Sequence, residues 1–374
     1  MRNAALDAEQ DGRSPRDRRN TTRRQVLRSV AAAAAATAFQ APFVRRSHAA
    51  RSLRISTFGG DFERSFATHV YPAFTHATGI DVRSIEQPEG VQFLFQLAQA
   101  NKAGIPPMDI CCVTDVSVLR GRAQGLWHPL DASRIPNLSQ IAARYVSNGP
   151  RGPEGVGAMA WYLTLVINPD EMTPLPDSWT VLWERRPNAW GANGGATSPL
   201  FEITARLYFG GTDLLSTKEG IDAVIGKIAE MKPNVKLWWQ DEGTMQTALQ
   251  NGEVIGGTYL HDVAMSMAKN GTPLRSIFPK EGAVQGANFW CQPSASSKTE
   301  EAQEFINFSC TPHAQALIAR HVGSAPVMDR GKLDLTDAEF AAVSSDIPPI
   351  PLNADARLAM SGYMERQFTK MLTS

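Results

Sequence analysis

The sequence predicts an α/β protein with enough chain for two cores. After Arg51, short apolar runs of strand length alternate with amphipathic stretches of helical period. Glycine punctuates that alternation, as in Thr78-Gly79-Ile80, where it stops a helix before the next strand. The chain has 374 residues, 43% of them hydrophobic, and a single core stops growing at roughly 250–300 residues. A disordered chain, a collagen and a small disulfide scaffold are excluded on composition.

Taken in order, Leu53–Ser56 reads as a strand ending in Thr57-Phe58-Gly59-Gly60-Asp61. A helix is predicted over 62–78, with Phe66, Val70 and Phe74 on one face. A strand over 80–84 and a helix over 91–101 lead to Met108-Asp109-Ile110-Cys111-Cys112-Val113, a strand buried on both faces. Asp115 sits at its carboxyl end, where ligands gather in open α/β sheets. A loop is expected near 147–157, then a long strand over 159–168. Asp177-Ser178-Trp179 opens a short helix, and Pro199 suits the start of another. Helices over 217–231 and 244–251 flank a strand at 235–239; strands follow at 252–259 and around 288–292. Helices over 299–310 and 355–373 complete the chain.

The first fifty residues read as an export leader. Thr21-Thr22-Arg23-Arg24-Gln25-Val26-Leu27-Arg28 resembles the twin-arginine motif, an uncharged alanine-rich stretch runs to Val44, and Ser47-His48-Ala49 supplies a small-x-small cleavage pattern near Ala49/Ala50. A basic tail on a cytoplasmic protein is the alternative. The stretch is too short and too weakly apolar for a spanning helix. Ten of the 37 basic residues and four of the 37 acidic ones lie in this leader, so the remainder is six negative and poorly suited to nucleic acid or an anionic membrane. Cys111 and Cys112 point to opposite faces of a strand and do not bond each other. Buried free thiols are expected for Cys111, Cys112, Cys291 and Cys310, with a bond from Cys111 or Cys112 to Cys291 as the alternative. No CxxC, H-E-x-x-H, G-x-G-x-x-G or Gly-x-Ser-x-Gly spacing occurs, so neither a metal, a cofactor nor a catalytic role is expected.

Several blocks, in order, carry a family resemblance: Phe58-Gly59-Gly60-Asp61, Phe74–Ile80, Ser178-Trp179 through Leu182-Trp183, Gly252-Glu253, Gly271-Thr272-Pro273, Pro279-Lys280-Glu281-Gly282, and the helix before Thr311-Pro312. Over residues 53–330 the chain resembles the extracellular solute-binding proteins of ABC importers, in the branch containing spermidine and putrescine receptors. The resemblance implies a two-lobe periplasmic-binding-protein fold of type II-like form, closing on a ligand at the hinge. Lobe one would comprise 51–163 plus 288–330, and lobe two 164–287 plus 331–374. It implies a monomer in the periplasm that hands a small solute to the membrane subunits of an ABC permease. The ferric-ion receptors of this architecture use paired tyrosines, and none of the six Tyr here has a Tyr neighbour.

Polyamine receptors hold a flexible cation with carboxylates at its amino groups and aromatic rings along its stem. The helix positions that carry those acids fall near Thr197 and Leu200, and the return-strand position at Asn288. None is an acid; the nearest is Glu202. The candidate ligand residues are therefore mixed. Asp115 and Asp262 are cation anchors or helix caps, Ser198 caps a helix whose first N–H groups suit a carboxylate, and Asn288 suits an amide or carboxylate. Trp239 and Trp290 are candidate cleft walls, Tyr259 lies at a strand end facing the cleft, and Phe58 and Asp61 sit on the glycine-rich first loop. An amine is the solute that the family implies; the mixed set also suits a zwitterionic amino-carboxylate.

Overall fold

The computed structural model describes residues 51–374 apart from Glu89, Ala196 and Thr197. The leader and the Thr197 position thus lie outside the described residues. Eleven strands form one mixed sheet: β1 (Ser52–Thr57), β2 (Asp81–Glu86), β3 (Ile110–Thr114), β4 (Val146–Gly149), β5 (Gly152–Ile167), β6 (Trp190–Asn193), β7 (Val235–Trp239), β8 (Gly256–Leu260), β9 (Arg275–Ile277), β10 (Val284–Cys291) and β11 (Ile350–Pro351). Their order is β2-β1-β3-β10-β5-β8-β6-β7, with β4 and β9 also on β5 and β11 on β10.

Strand β5 explains the whole arrangement. Its 16 residues are almost all buried, and the run Met159–Ile167 is apolar except for Thr164. Val156–Leu163 pairs antiparallel with β10, and Leu163–Ile167 pairs antiparallel with β8. Two separate apolar cores form around its two ends. The first gathers buried side chains from 53–162 and 283–328; the second gathers 163–274, Val284, Ile350 and the terminal helix Ala354–Thr373. In the first, Trp290 meets Phe66 and Phe305 edge-on at 5.6 and 5.1 Å, the geometry that aromatic quadrupoles favour.

The second half of the sheet depends on a glycine pair. Parallel β6 and β8 bring Gly191 opposite Gly257, whose φ is +147°. A Cβ on Gly257 would stand 1.7 Å from the Gly191 carbonyl oxygen, so no other residue lets these strands meet.

The Ser-Trp block and the Lys-Glu-Gly block prove to be one structural unit. Ser178 Oγ donates to Glu281 Oε1 at 2.6 Å, and the Trp179 indole N–H donates to the Gly282 carbonyl at 2.8 Å. These motifs fix a turn against β10.

Four expectations need revision. The helix predicted over 62–78 is interrupted: Asp61–Ser65 and Tyr71–Thr78 flank a π-helical turn, Phe66–Val70. Pro72 lies in the first turn of the second piece, and its missing N–H is a reason for the ladder to break there. The loop near 147–157 is instead a hairpin between β4 and β5. Strand β2 runs two residues past Ser84, to Glu86. Residues 252–255 are a turn, and β8 begins only at Gly256.

A buried histidine ties the second half to the segment after residue 336. His261, 4% exposed, is 3.0 Å by Nε2 from the Ala342 carbonyl and 2.9 Å by Nδ1 from Ser276 Oγ. The carbonyl can only accept, so Nε2 carries the proton and Nδ1 accepts from Ser276. Burial lowers the His261 pKa, and the bond to Ala342 opposes that shift. The unfolded chain therefore takes up a proton near pH 6.5 that the folded chain refuses. Folding stability should fall as pH drops from about 6.5 toward the folded pKa, by at most about 1.4 kcal/mol per pH unit for this group. Urea titrations at pH 7 and 5.5 test it: His261→Gln should lose less stability over that interval than the wild type, and an equal loss would refute the assignment.

Candidate functional site

The carboxyl ends of β1, β3 and β8, and the residues that follow them, carry most of the candidate groups. Asp115 opens the helix Asp115–Ala123, but the cap is its neighbour: Thr114 Oγ1 accepts from the Ser117 N–H at 3.4 Å. Among the described residues, Asp115 Oδ1 accepts the adjacent Val116 N–H alone, at 2.7 Å. Burial raises its pKa, Arg357 draws it down and Glu202 pushes it up. Asp262, in the first turn of the helix His261–Lys269, is placed alike. Its Oδ1 accepts the Val263 N–H at 3.0 Å, and burial raises its pKa. Neither carboxylate makes an ion pair among the described residues. Both are therefore partly desolvated carboxyl groups in the first turns of helices.

The start of the helix Leu200–Phe209 holds a buried ion pair of the protein's own. Glu202, fully buried, receives Arg357 from the terminal helix: Nε on Oε1 at 2.7 Å and Nη2 on Oε2. Arg357 Nη2 also donates to the Ser198 carbonyl at 3.3 Å. Ser198 Oγ donates to the Asn193 carbonyl at 2.7 Å and accepts the Leu200 N–H at 3.3 Å. Its hydroxyl is engaged inside the protein, and Glu202, the acid nearest the positions that carry carboxylates in polyamine receptors, is engaged by Arg357.

The aromatic candidates for cleft walls are packed inside the cores. Trp239 is 4% exposed, donates its indole N–H to Thr258 O at 3.1 Å and meets Tyr259 edge-on. Tyr259, fully buried, donates its hydroxyl to the Glu242 carbonyl at 2.9 Å. Trp290 is fully buried between Phe66 and Phe305. Large rings on central strands fill volume first. Phe58 is half-buried and packs on Phe62. Asp61 heads a helix, and its side chain lies outside the described residues. Asn288, 7% exposed, lies in β10 opposite Thr114 and Met159, beside a bulge, and its amide makes no hydrogen bond among the described residues.

Sequence reading missed two groups. Glu86 ends β2 with its carboxylate where a Cβ of Gly59 would lie: 2.0 Å separates that point from Oε1. Gly59 thus makes room beside the first loop for an exposed acid at the end of β2, which a strand ending at Ser84 concealed. Arg357 was also missed, since nothing local marks its partner. Two surface cavities, of about 470 and 590 Å³, lie elsewhere and include none of the nine candidates. Among the described residues there is no cluster of three or more His, Cys, Asp or Glu able to hold a metal, and no helix long and apolar enough to cross a membrane.

Residues 70–341 match the family described as bacterial extracellular solute-binding protein, and the chain belongs to it. It serves as the substrate-binding component of an ABC transporter. Among its relatives is the gamma-aminobutyric acid-binding protein of Pseudomonas aeruginosa, 23% identical over 315 residues, which cover 83% of this chain and 85% of that one. The spermidine/putrescine-binding periplasmic protein of Escherichia coli is 24% identical over 254 residues, 67% of this chain and 71% of that one. In fold it is similar to an ABC transporter substrate-binding protein of Bradyrhizobium japonicum, with TM-score 0.73 at 19% identity over 86% of this chain and 99% of that one.

Proposed function

We propose that this receptor captures a small amine-bearing solute in the periplasm and delivers it, as a monomer, to the membrane subunits of its permease. The observation that carries this reading is the pair Asp115 and Asp262. Each is a desolvated carboxylate that forms no ion pair among the described residues, although the charge of Arg357 reaches Asp115, and each gains from an ammonium group. The two cores correspond to two lobes, and Asp115 and Asp262 belong to opposite ones, so an amine held by both would favour closure. The relatives' ligands, gamma-aminobutyric acid, spermidine and putrescine, share a primary amine. Residues 1–50 act as a twin-arginine leader cut near Ala49/Ala50.

A zwitterionic amino-carboxylate is the second reading, favoured by two observations. Arg357 neutralises Glu202, the acid nearest the polyamine-anchoring positions. The unpartnered Asn288 amide is free to donate to a carboxylate. A thermal-shift panel separates the two, since a ligand at a thousand times Kd stabilises by about 4 kcal/mol. Putrescine and spermidine should raise Tm under the first reading. Under the second, 4-aminobutanoate should raise it and diamines should not. Silence with every amine would refute both.

A further inference from the structure

We infer that Cys111 and Cys291 are a latent cross-strand disulfide site, closed when the chain folds in the presence of a small disulfide and kept open once it has folded reduced. All four cysteines are free and buried. Antiparallel β3 and β10 place Cys291 directly opposite Cys111, and Cys112 opposite Trp290 on the other face. Directly opposed residues of antiparallel strands have Cα atoms about 4.5–5.5 Å apart, inside the range a disulfide spans. In the reduced form the Cys111 S–H points at its partner residue, 3.5 Å from the Cys291 carbonyl. Space for the Cys291 sulfur comes from Gly155 on β5, whose Cβ would lie 3.2 Å from it.

The same packing shields the thiols in the folded chain. Cys111 and Cys291 are both fully buried, and burial raises both thiol pKa values, so neither thiolate nor access is at hand. During refolding both are exposed. One thiolate attacks oxidised glutathione and releases one glutathione thiolate; the second cysteine displaces the other. Two protein thiols are oxidised, one small disulfide is reduced to two thiols, and the two protons leave on them. The bond would tie the strand that delivers Asp115 to the strand that delivers Asn288, three residues along each from the paired Thr114 and Asn288.

The full chain, purified reduced, is unfolded and refolded with a glutathione redox pair, then alkylated and mapped by fragmentation without reduction. The expected result is a fall from four reactive thiols to two, a mass lower by about 2 Da before alkylation, and a cross-link between Cys111 and Cys291. Native chain given the same oxidant should keep all its thiols. Cys112→Ser should still form the bond and Cys111→Ser should not. A cross-link that uses Cys112 or Cys310, or a refolded wild type with every thiol still free, would overturn the assignment.

Discussion

Asp115→Asn and Asp262→Asn should each weaken binding of an amine solute while leaving the empty protein as stable as before, or more so. A charge-assisted contact from a carboxylate to an ammonium is worth about 2 kcal/mol, roughly thirtyfold in Kd. The double variant should lose detectable binding. The stability half follows from linkage. Burial raises both folded pKa values above the unfolded carboxyl value, so the folded state binds more protons than the unfolded one between those limits. Stability from these groups is present at low pH and declines as pH rises through the folded pKa. At pH 7 each charged aspartate therefore opposes folding, and a neutral amide relieves the opposition. Receptors commonly carry such a strain at their sites. Affinity should run the other way with pH, falling as acid protonates the two carboxylates while the ammonium stays charged. Calorimetric titration and thermal melts of the variants measure both halves. Wild-type affinity in the double variant would remove the aspartates from the site.

The architecture was legible because its signals are local. Alternating runs mark strands and helices, and length implies two cores; β5 is legible from Met159 onward, where its side chains are mostly apolar, while its glycine-rich start has the composition of a loop. The placement of Asp115 and Asp262 just past strand ends was legible for the same reason. The aromatic residues were not. A tryptophan on a strand satisfies the pattern equally as core or as wall, and only the packing of Phe66 and Phe305 about Trp290 decides between them. Glu86 was hidden by a strand boundary two residues out. Glu202 and Arg357 lie 155 residues apart, and no periodicity or spacing connects residues so distant.

That pair yields the largest expected effect on stability. Arg357→Met should destabilise the protein by about 3–5 kcal/mol, because it leaves the Glu202 carboxylate buried without its partner. Glu202→Met in the same chain should restore most of the loss: two apolar side chains of similar volume replace two charges whose mutual attraction barely exceeds their desolvation. Urea unfolding of the single and double variants measures this, and a double variant no more stable than Arg357→Met would show that the arginine acts through other contacts. The terminal helix that carries Arg357 packs on both the helix Asp115–Ala123 and the helix Lys218–Ala229. Arg357 and Glu202 also act on Asp115 with opposite sign. Removing the arginine alone should push the Asp115 pKa further up and weaken amine binding at neutral pH. Removing both charges cancels that influence, so binding should return with stability in the double variant. Restored stability without restored binding would mean that the pair also sets the position of Asp115 toward the solute.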